Sequence, residues 1–381
     1  MWQVALKMLT GDRAKYIALI FGIAFATLLM SQQVSIFIGL MSRTASQVLD
    51  IREADVWVMD PRVRYIDEVE ALPDEALGRV RSVDGVAWAV PLFKGLAMFR
   101  TTDGLVNQVS LVGVDDETLV GAPRVWLAGG LESLREPDAI LFDAQGADFI
   151  WPGQDPLAAL GKEAEINDNR VVVRGLVDAS APFITFPVAY MRYSQAITVT
   201  PPTRNKLSFV LVRARDGVSA DALARRIEAE TGLQALTRVE FAWRSVLYYL
   251  TRTGIPVNFG ITIALAVIVG AAITAQTFYL FVIENLKQFG ALKAIGATNR
   301  QIAGMVLLQA AVVGALGFCL GIGTCALFFN VTENVPALEG FILRWQVLAG
   351  VAVVVGLIIV IASLGSLLRV FRVDPAIVFR G

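Results

Sequence analysis

Four stretches of this 381-residue chain contain no Lys, Arg, Asp or Glu, and each is long enough to cross a lipid bilayer as a single helix. They run from Tyr16 to Ser42, Thr253 to Ile283, Gln301 to Thr332 and Trp345 to Leu368. A helix spanning the hydrocarbon needs about 20 predominantly apolar residues. Helical geometry is forced there, because lipid offers no partner for an unpaired backbone N–H or C=O. Composition agrees: 55% of residues are hydrophobic and 18% charged, against roughly 45–50% and 25% in soluble domains. The excess lies at the N-terminus and in the last third, so residues 43–255 read as an ordinary globular domain inserted between two spans. The first stretch outlasts the roughly 7–15 residues of a signal-peptide core and ends in no clean small-x-small cleavage site, so a retained helix is expected rather than a cleaved leader.

Orientation follows from the flanking charges. Lys7, Arg13 and Lys15 precede the first span. Lys287, Lys293 and Arg300 separate the second from the third, and Arg369, Arg372 and Arg380 follow the fourth. The segment between the third and fourth spans carries Arg344 against Glu333 and Glu339. The positive-inside rule therefore predicts cytoplasmic termini and a cytoplasmic loop at 284–300, with residues 43–255 outside.

That outer segment alternates strand and helix signals and predicts an α+β domain or two subdomains. Asp55 to Met59 and Leu207 to Arg213 read as strands, and Pro73 to Val83 reads as a short helix with Pro at its start. Lys94–Arg100 and Leu105–Val114 flank Thr102-Asp103-Gly104, a hairpin signal, and Asn167-Asp168-Asn169 marks a second hairpin. Ser219 opens a helix that Gly232 closes. Segments near 121–160 and 178–202 are rich in Pro and Gly, and Pro201-Pro202 marks a link between subdomains. Val239 to Arg252 reads as a helix leading into the second span, with Trp243, Tyr248 and Tyr249 suited to a membrane-interface belt.

Chemistry is notable for what is missing. The chain has no histidine, which removes the commonest general base and zinc ligand. No G-x-x-x-x-G-K-[ST] loop, G-x-S-x-G elbow or H-E-x-x-H occurs, so ATP hydrolysis by this chain is not expected. A formal net charge of −1 and no basic run with interleaved aromatics exclude nucleic acid as a partner. Asp115-Asp116-Glu117 reads as a solvated acidic loop. Cys319 and Cys325, at i and i+6 within a span, read as small residues at helix contacts. Gly317 and Gly321 form a G-x-x-x-G ridge for close helix packing. Ion-coupled transporters keep ionisable residues at mid-membrane, and these spans hold none, Gln276 being the main polar interruption of the second. Energy for any work is expected to arrive from elsewhere, as force on the helices.

The 284–300 loop places Phe289, Leu292 and Ile295 at helical spacing with charges between them, predicting a short amphipathic helix at the membrane surface. Gly296 suits a left-handed cap and Thr298 an N-cap for the next helix. Two readings stand on these residues alone: a positive-inside connector, or a docking element. The run Glu284…Phe289-Gly290-Ala291-Leu292-Lys293-Ala294-Ile295-Gly296-Ala297…Arg300-Gln301-Ile302 resembles the signature of FtsX-like ABC transporter permeases, the MacB/LolC/DevC group, with the DevC-like branch nearest. The tail Val373-Asp374-Pro375-Ala376-Ile377…Arg380 is similar to the ending of that family, with Ile377 and Val378 departing from the usual pair. The order of one span, a large outer domain and three spans matches as well.

The resemblance implies an inner-membrane permease with cytoplasmic termini. Its parts would be an amphipathic segment at 1–15, spans at 16–42, 256–283, 301–329 and 345–368, a periplasmic domain at 43–255, a coupling loop at 284–300, a short outer loop at 330–344 and a tail at 369–381. Glu284, Lys287, Phe289, Gly290, Leu292, Lys293, Ala294, Ile295, Gly296 and Arg300 would form the docking site for a cytoplasmic ABC ATPase. Residues 1–15, amphipathic through Trp2, Val4, Leu6, Met8 and Leu9, would add to it. ATP and Mg would be bound by that partner, leaving this chain without a cofactor. A second permease copy as a homodimer, a periplasmic adaptor and a TolC-type outer-membrane channel complete the implied assembly, which exports a periplasmic or outer-leaflet substrate. Alternatives are a signalling scaffold that activates a periplasmic hydrolase and a membrane-anchored enzyme using the outer-domain acids.

Overall fold

The computed structural model describes residues 2–11, 13–180, 183, 186–201, 207–332 and 341–371. In chain order the helices are α1 (Trp2–Gly11), α2 (Arg13–Arg43), α3 (Ser46–Asp50), α4 (Glu75–Arg81), α5 (Ala144–Ile150), α6 (Tyr193–Val199), α7 (Ala220–Thr231), α8 (Arg238–Arg252), α9 (Ile255–Glu284), α10 (Leu286–Ala294), α11 (Asn299–Val331) and α12 (Trp345–Phe371). The strands are β1 (Val56–Met59), β2 (Val86–Thr101), β3 (Val106–Val114), β4 (Val125–Ala128), β5 (Ala139–Asp143), β6 (Glu163–Ile166), β7 (Asn169–Asp178), β8 (Val188–Arg192), β9 (Phe209–Ala214) and β10 (Gln234–Thr237). Two compact units result: Leu40–Thr253, and the residues before Leu40 together with those from Gly254 on.

In the Leu40–Thr253 unit one long strand organises everything. The first half of β2 pairs antiparallel with β9, Ala89 opposite Val212, and its second half pairs with β3, Ala97 opposite Val109. The order β10-β1-β9-β2-β3-β8-β5-β7-β4 makes a mixed sheet, with β8 parallel to β3 and β7 parallel to β5. Helices α4 and α7 cover one end through Val80, Leu223 and Ile227. Phe99, Phe142 and Trp151 fill the other end. A third core unites Trp57, Phe209, Leu211 and Phe241 of α8 with Val177 and Tyr190. The fold expected from the sequence, four apolar spans with a large α+β domain between the first and second, is the fold observed.

Local chemistry explains the element ends. Asn167 and Asp168 turn the β6–β7 hairpin at φ of 48° and 64°, a two-residue turn that suits the strand twist. The Ser219 side chain accepts from the Ala222 N–H, and Gly232 closes α7 at φ +67°. Thr237 and Glu240 form a reciprocal capping box at the start of α8. The stretch near 121–160 holds β4, β5 and α5, elements of only four to seven residues, too short for periodicity to reveal. Tyr248 and Tyr249 do not form a free belt. Tyr248 stacks on Tyr65 at 4.2 Å between ring centroids, and Tyr249 is buried against Tyr65 and Phe183. Pro202 of the expected link, the 333–340 part of the short loop and the tail motif from Val373 on lie outside the described residues.

Among the described residues, four helices, in the other unit, are long and apolar enough to cross a membrane. They share a core of Leu19, Ile23, Met30, Phe278, Phe281, Val306, Val351 and Val355. Helix α1 joins it through Leu9, with Met8 packed alongside, while Val4 is exposed and the side chains of Trp2 and Leu6 lie outside the described residues. Gln309, buried in α11, donates from Nε2 to the Ala5 carbonyl at 2.7 Å.

Candidate functional site

The segment from Glu284 to Arg300 is built as a rigid knuckle between α9 and α11. Asn285 turns the chain, its side-chain amide donating to the Phe281 carbonyl at 2.8 Å, and α10 begins one residue later. At the far end the Ala297 N–H reaches the Leu292 carbonyl at 2.9 Å and the Gly296 N–H reaches that of Lys293 at 3.0 Å. Those two bonds with Gly296 at φ +103° make a Schellman termination. The left-handed position strains any residue with a Cβ. Thr298 and Gln301 then form a capping box, Gln301 Oε1 accepting from the Thr298 N–H at 2.9 Å.

One side of the knuckle is anchored and the other is exposed. Phe289 is fully buried, packed with Phe278, Phe281, Val282, Ile302 and Val306. Gly290 is buried beside it, and Leu292 and Ala297 are partly buried against the same core. Lys293 Nζ donates to the Phe371 carbonyl at 3.2 Å, placing a cation on the last described turn of α12. Glu284, Lys287, Ala294, Ile295, Gly296 and Arg300 are exposed. Ile295 is 86% exposed, an aliphatic side chain held out at the apex of a capped turn. Of the sequence-derived candidates, Phe289 and Gly290 therefore offer no surface to a partner. The 3.6-residue period that pointed Phe289 toward a partner equally points it toward α9 and α11, and burial decides for the helices.

Gly317 and Gly321 line up on the face of α11 toward α2. A Cβ on Gly317 would stand 2.7 Å from Ile23 Cβ, and one on Gly321 would stand 2.6 Å from Thr27 Cβ. The tie between Gln309 and Ala5 escaped sequence reading. Its one signal was a lone amide in the middle of the third span. Gln276, the amide that did stand out, is exposed on α9.

The profile of the MacB-like periplasmic core domain matches residues 17–230, and that of the FtsX-like permease C-terminal domain matches residues 260–375. An uncharacterized ABC transporter permease of Mycobacterium bovis is 38% identical over 118 residues, 30% of this chain; the chain thus spans 31% of that relative's length. An uncharacterized ABC transporter permease of Mycobacterium tuberculosis is 27% identical over 311 residues, covering 81% of this chain and 79% of that protein. Among solved structures, the periplasmic region of MacB from Actinobacillus actinomycetemcomitans aligns with a TM-score of 0.37 at 13% identity, over 50% of this chain and 92% of that one. The extracellular domain of the noncanonic ABC-type transporter YknZ from Gram-positive bacteria aligns with a TM-score of 0.34 at 17% identity, over 48% and 98%.

Proposed function

This chain belongs to the MacB/FtsX-type permeases of ABC transporters, and on that premise we propose that its 284–300 knuckle takes force from a cytoplasmic ATPase and passes it to the large periplasmic domain. The observation that carries this reading is Ile295, exposed at the apex of a turn whose base is locked by the buried Phe289. A connector needs no such construction. A lever does: a push on Ile295 is delivered through α10 to α9 and α11 together, because Phe289 shares one buried core with residues of both. Glu284, Lys287 and Arg300 are exposed charges on the same segment, and a polar surround to an apolar contact is usual in interfaces.

ATP and Mg belong to the partner on this reading, and this chain contributes no catalytic group. Force rather than an ion gradient is supported by the absence of Asp, Glu, Lys and Arg from the apolar stretches. The substrate is then engaged in the periplasm or outer leaflet and driven outward, with a periplasmic adaptor and a TolC-type channel as the onward route. The membrane concerned is the bacterial inner membrane, with both termini cytoplasmic, in keeping with the clusters of Lys and Arg at 7–15, 287–300 and 369–380.

A second copy of the chain is the expected neighbour of α9. Only 17% of the apolar window of α9 is buried within the chain, against 39–44% for the other three spans. An exposed amide at Gln276 would face hydrocarbon unless another helix meets it. Gln276→Leu is expected to weaken self-association in bilayers by about 0.5–2 kcal/mol, the worth of an interhelical amide bond. Single-molecule photobleaching in nanodiscs at graded dilution reads this out; an unchanged dimer fraction removes Gln276 from the interface.

The docking test is co-purification of the cognate ATPase with wild type, Ile295→Asp and Gly296→Val chains. Ile295→Asp removes the knob and leaves the buried anchor intact. Gly296→Val strains the left-handed turn that presents it. Both are expected to weaken ATPase binding by about 2 kcal/mol or more, roughly thirtyfold. Equal retention by all three chains would sink the docking role.

A further inference from the structure

Helix α8 carries apolar side chains on two sides, and the described residues cover only one of them. Phe241, Ala242, Ser245 and Tyr249 are buried, Phe241 and Ala242 in the core that holds Trp57 and Phe209. Val239, Trp243 and Leu247 stand at i, i+4 and i+8, on the side turned away from that face. They are 66%, 62% and 46% exposed. Single exposed apolar side chains are ordinary on a protein surface. A contiguous stripe of three, centred on a tryptophan, marks a docking face.

The charges on α8 decide what kind of partner fits. The helix carries Arg238, Arg244 and Arg252 against one acid, Glu240. Among the described residues, none of the three guanidinium groups has an ion pair. Glu240 is occupied in capping its own helix, its carboxylate accepting from the Thr237 N–H at 2.9 Å. Glu68, which feels the field of Arg244, is held by Arg64. A second copy of α8 laid on this stripe would bring like charges together, whereas anionic headgroups supply the missing counter-charge. Arginines beside an apolar stripe containing tryptophan are the composition of a helix that lies in a membrane surface. The chain also holds the stripe close to lipid. Leu247 is separated from Ile255, where α9 begins, by the rest of α8 and a two-residue link, a reach of about 20 Å at most.

We propose that α8 is a lipid-docking helix: Val239, Trp243 and Leu247 insert into the bilayer surface, and Arg244 and Arg252 bind the headgroups of anionic phospholipids there. Tyr248 and Tyr249 take no part, being engaged with Tyr65. The inference does not rest on the coupling knuckle or on which side of the membrane the domain lies. It needs only α9 to span the bilayer, so failure of the docking role at 284–300 leaves it standing.

The test uses the full chain in nanodiscs of phosphatidylcholine and phosphatidylglycerol at about 3:1. With Cys319 and Cys325 replaced by alanine, a nitroxide is attached at Leu247→Cys, and in a reference chain at Glu230→Cys, an exposed position on α7. Spin relaxation by oxygen, which concentrates in hydrocarbon, is compared with relaxation by a water-soluble nickel chelate. The ratio of oxygen to nickel collisions is expected to be at least about fivefold higher at 247 than at 230. It is expected to fall at least about twofold in pure phosphatidylcholine, and likewise in Arg244→Gln/Arg252→Gln. Equal ratios at 247 and 230 would place the stripe in water and overturn the proposal. Low collision with both reagents, together with spin–spin broadening that dilution by unlabelled chain removes, would give the stripe to a second copy and overturn it too. A ratio unmoved by lipid charge and by the arginine variant would overturn the anionic class. Should the labelled chain fail to fold, quenching by brominated phosphatidylcholine in the native chain, minus that in Trp243→Phe, reads the same contact, and no difference overturns it.

Discussion

Replacing Lys94 by methionine is expected to destabilise the periplasmic domain by about 3–5 kcal/mol, the cost of breaking a buried ion pair from one side. Lys94 is almost wholly enclosed, and burial pulls its ammonium below the ordinary lysine range while Asp67 pulls it back up. Methionine fits the space but leaves the Asp67 carboxylate, 14% exposed at its side chain, with no cation. It also strands Gln47 Oε1. The measurement is hydrogen exchange in the full chain at β1, β2 and β9, where protection is expected to fall by two or more orders of magnitude. Adding Asp67→Leu is expected to recover most of the loss, since removing both charges is often neutral or better. A single variant that matches wild type, or a double variant no better than the single, would show that the pair carries little of the domain's stability.

Gly321→Leu is expected to cost about 3 kcal/mol, the upper end for an overpacked core. A Cβ there would meet the Ala24 carbonyl oxygen at 2.5 Å, and backbone in the middle of α2 has no room to retreat. Thr27 adds to the constraint, its hydroxyl donating to the Ile23 carbonyl at 2.7 Å and so fixing the side chain that faces the glycine. Gly323, two residues along the same helix, has nothing within 4 Å of its absent Cβ. Gly323→Ala is therefore expected to be neutral or stabilising by less than about 1 kcal/mol. Denaturant titration of the two variants in mixed micelles checks the contrast, and equal midpoints would remove α2 from the surface that α11 packs on.

The membrane half of this molecule was legible in sequence because its rule is coarse: lipid tolerates no charge, and four long gaps between charges mark four helices. The loop was legible for a different reason. Gly296, Thr298 and Gln301 carry cap chemistry that is strictly local, so their positions could be assigned without tertiary structure. The side of α10 that would be buried was not local information. Phe289 and Ile295 are both apolar and both at helical spacing, yet one is enclosed and the other exposed, a choice made by α9 and α11 rather than by α10. The buried surroundings of Lys94 were illegible for the same reason at longer range. Gln47, Trp57 and Lys94 stand on three separate elements, and Lys94 in the sequence is one residue of a strand signal. Only the pairing of β2 with β9 and the packing of α3 bring them to one place.

The arrangement of β1 also sets a timetable. Its Val56 pairs with Val212 of β9 and Thr237 of β10, so the first strand made by the ribosome receives its partners only after nearly the whole domain has been synthesised. Such distant pairing is slow to form. Until then Val56, Trp57 and Val58 form an unpaired apolar edge, the kind of surface on which nascent chains aggregate. With the first helix already threaded into the bilayer, that edge waits tethered at the membrane. A stop codon between β9 and residue 234 would therefore do more than shorten the domain: it would leave the chain's earliest strand without β10, one of its two neighbours.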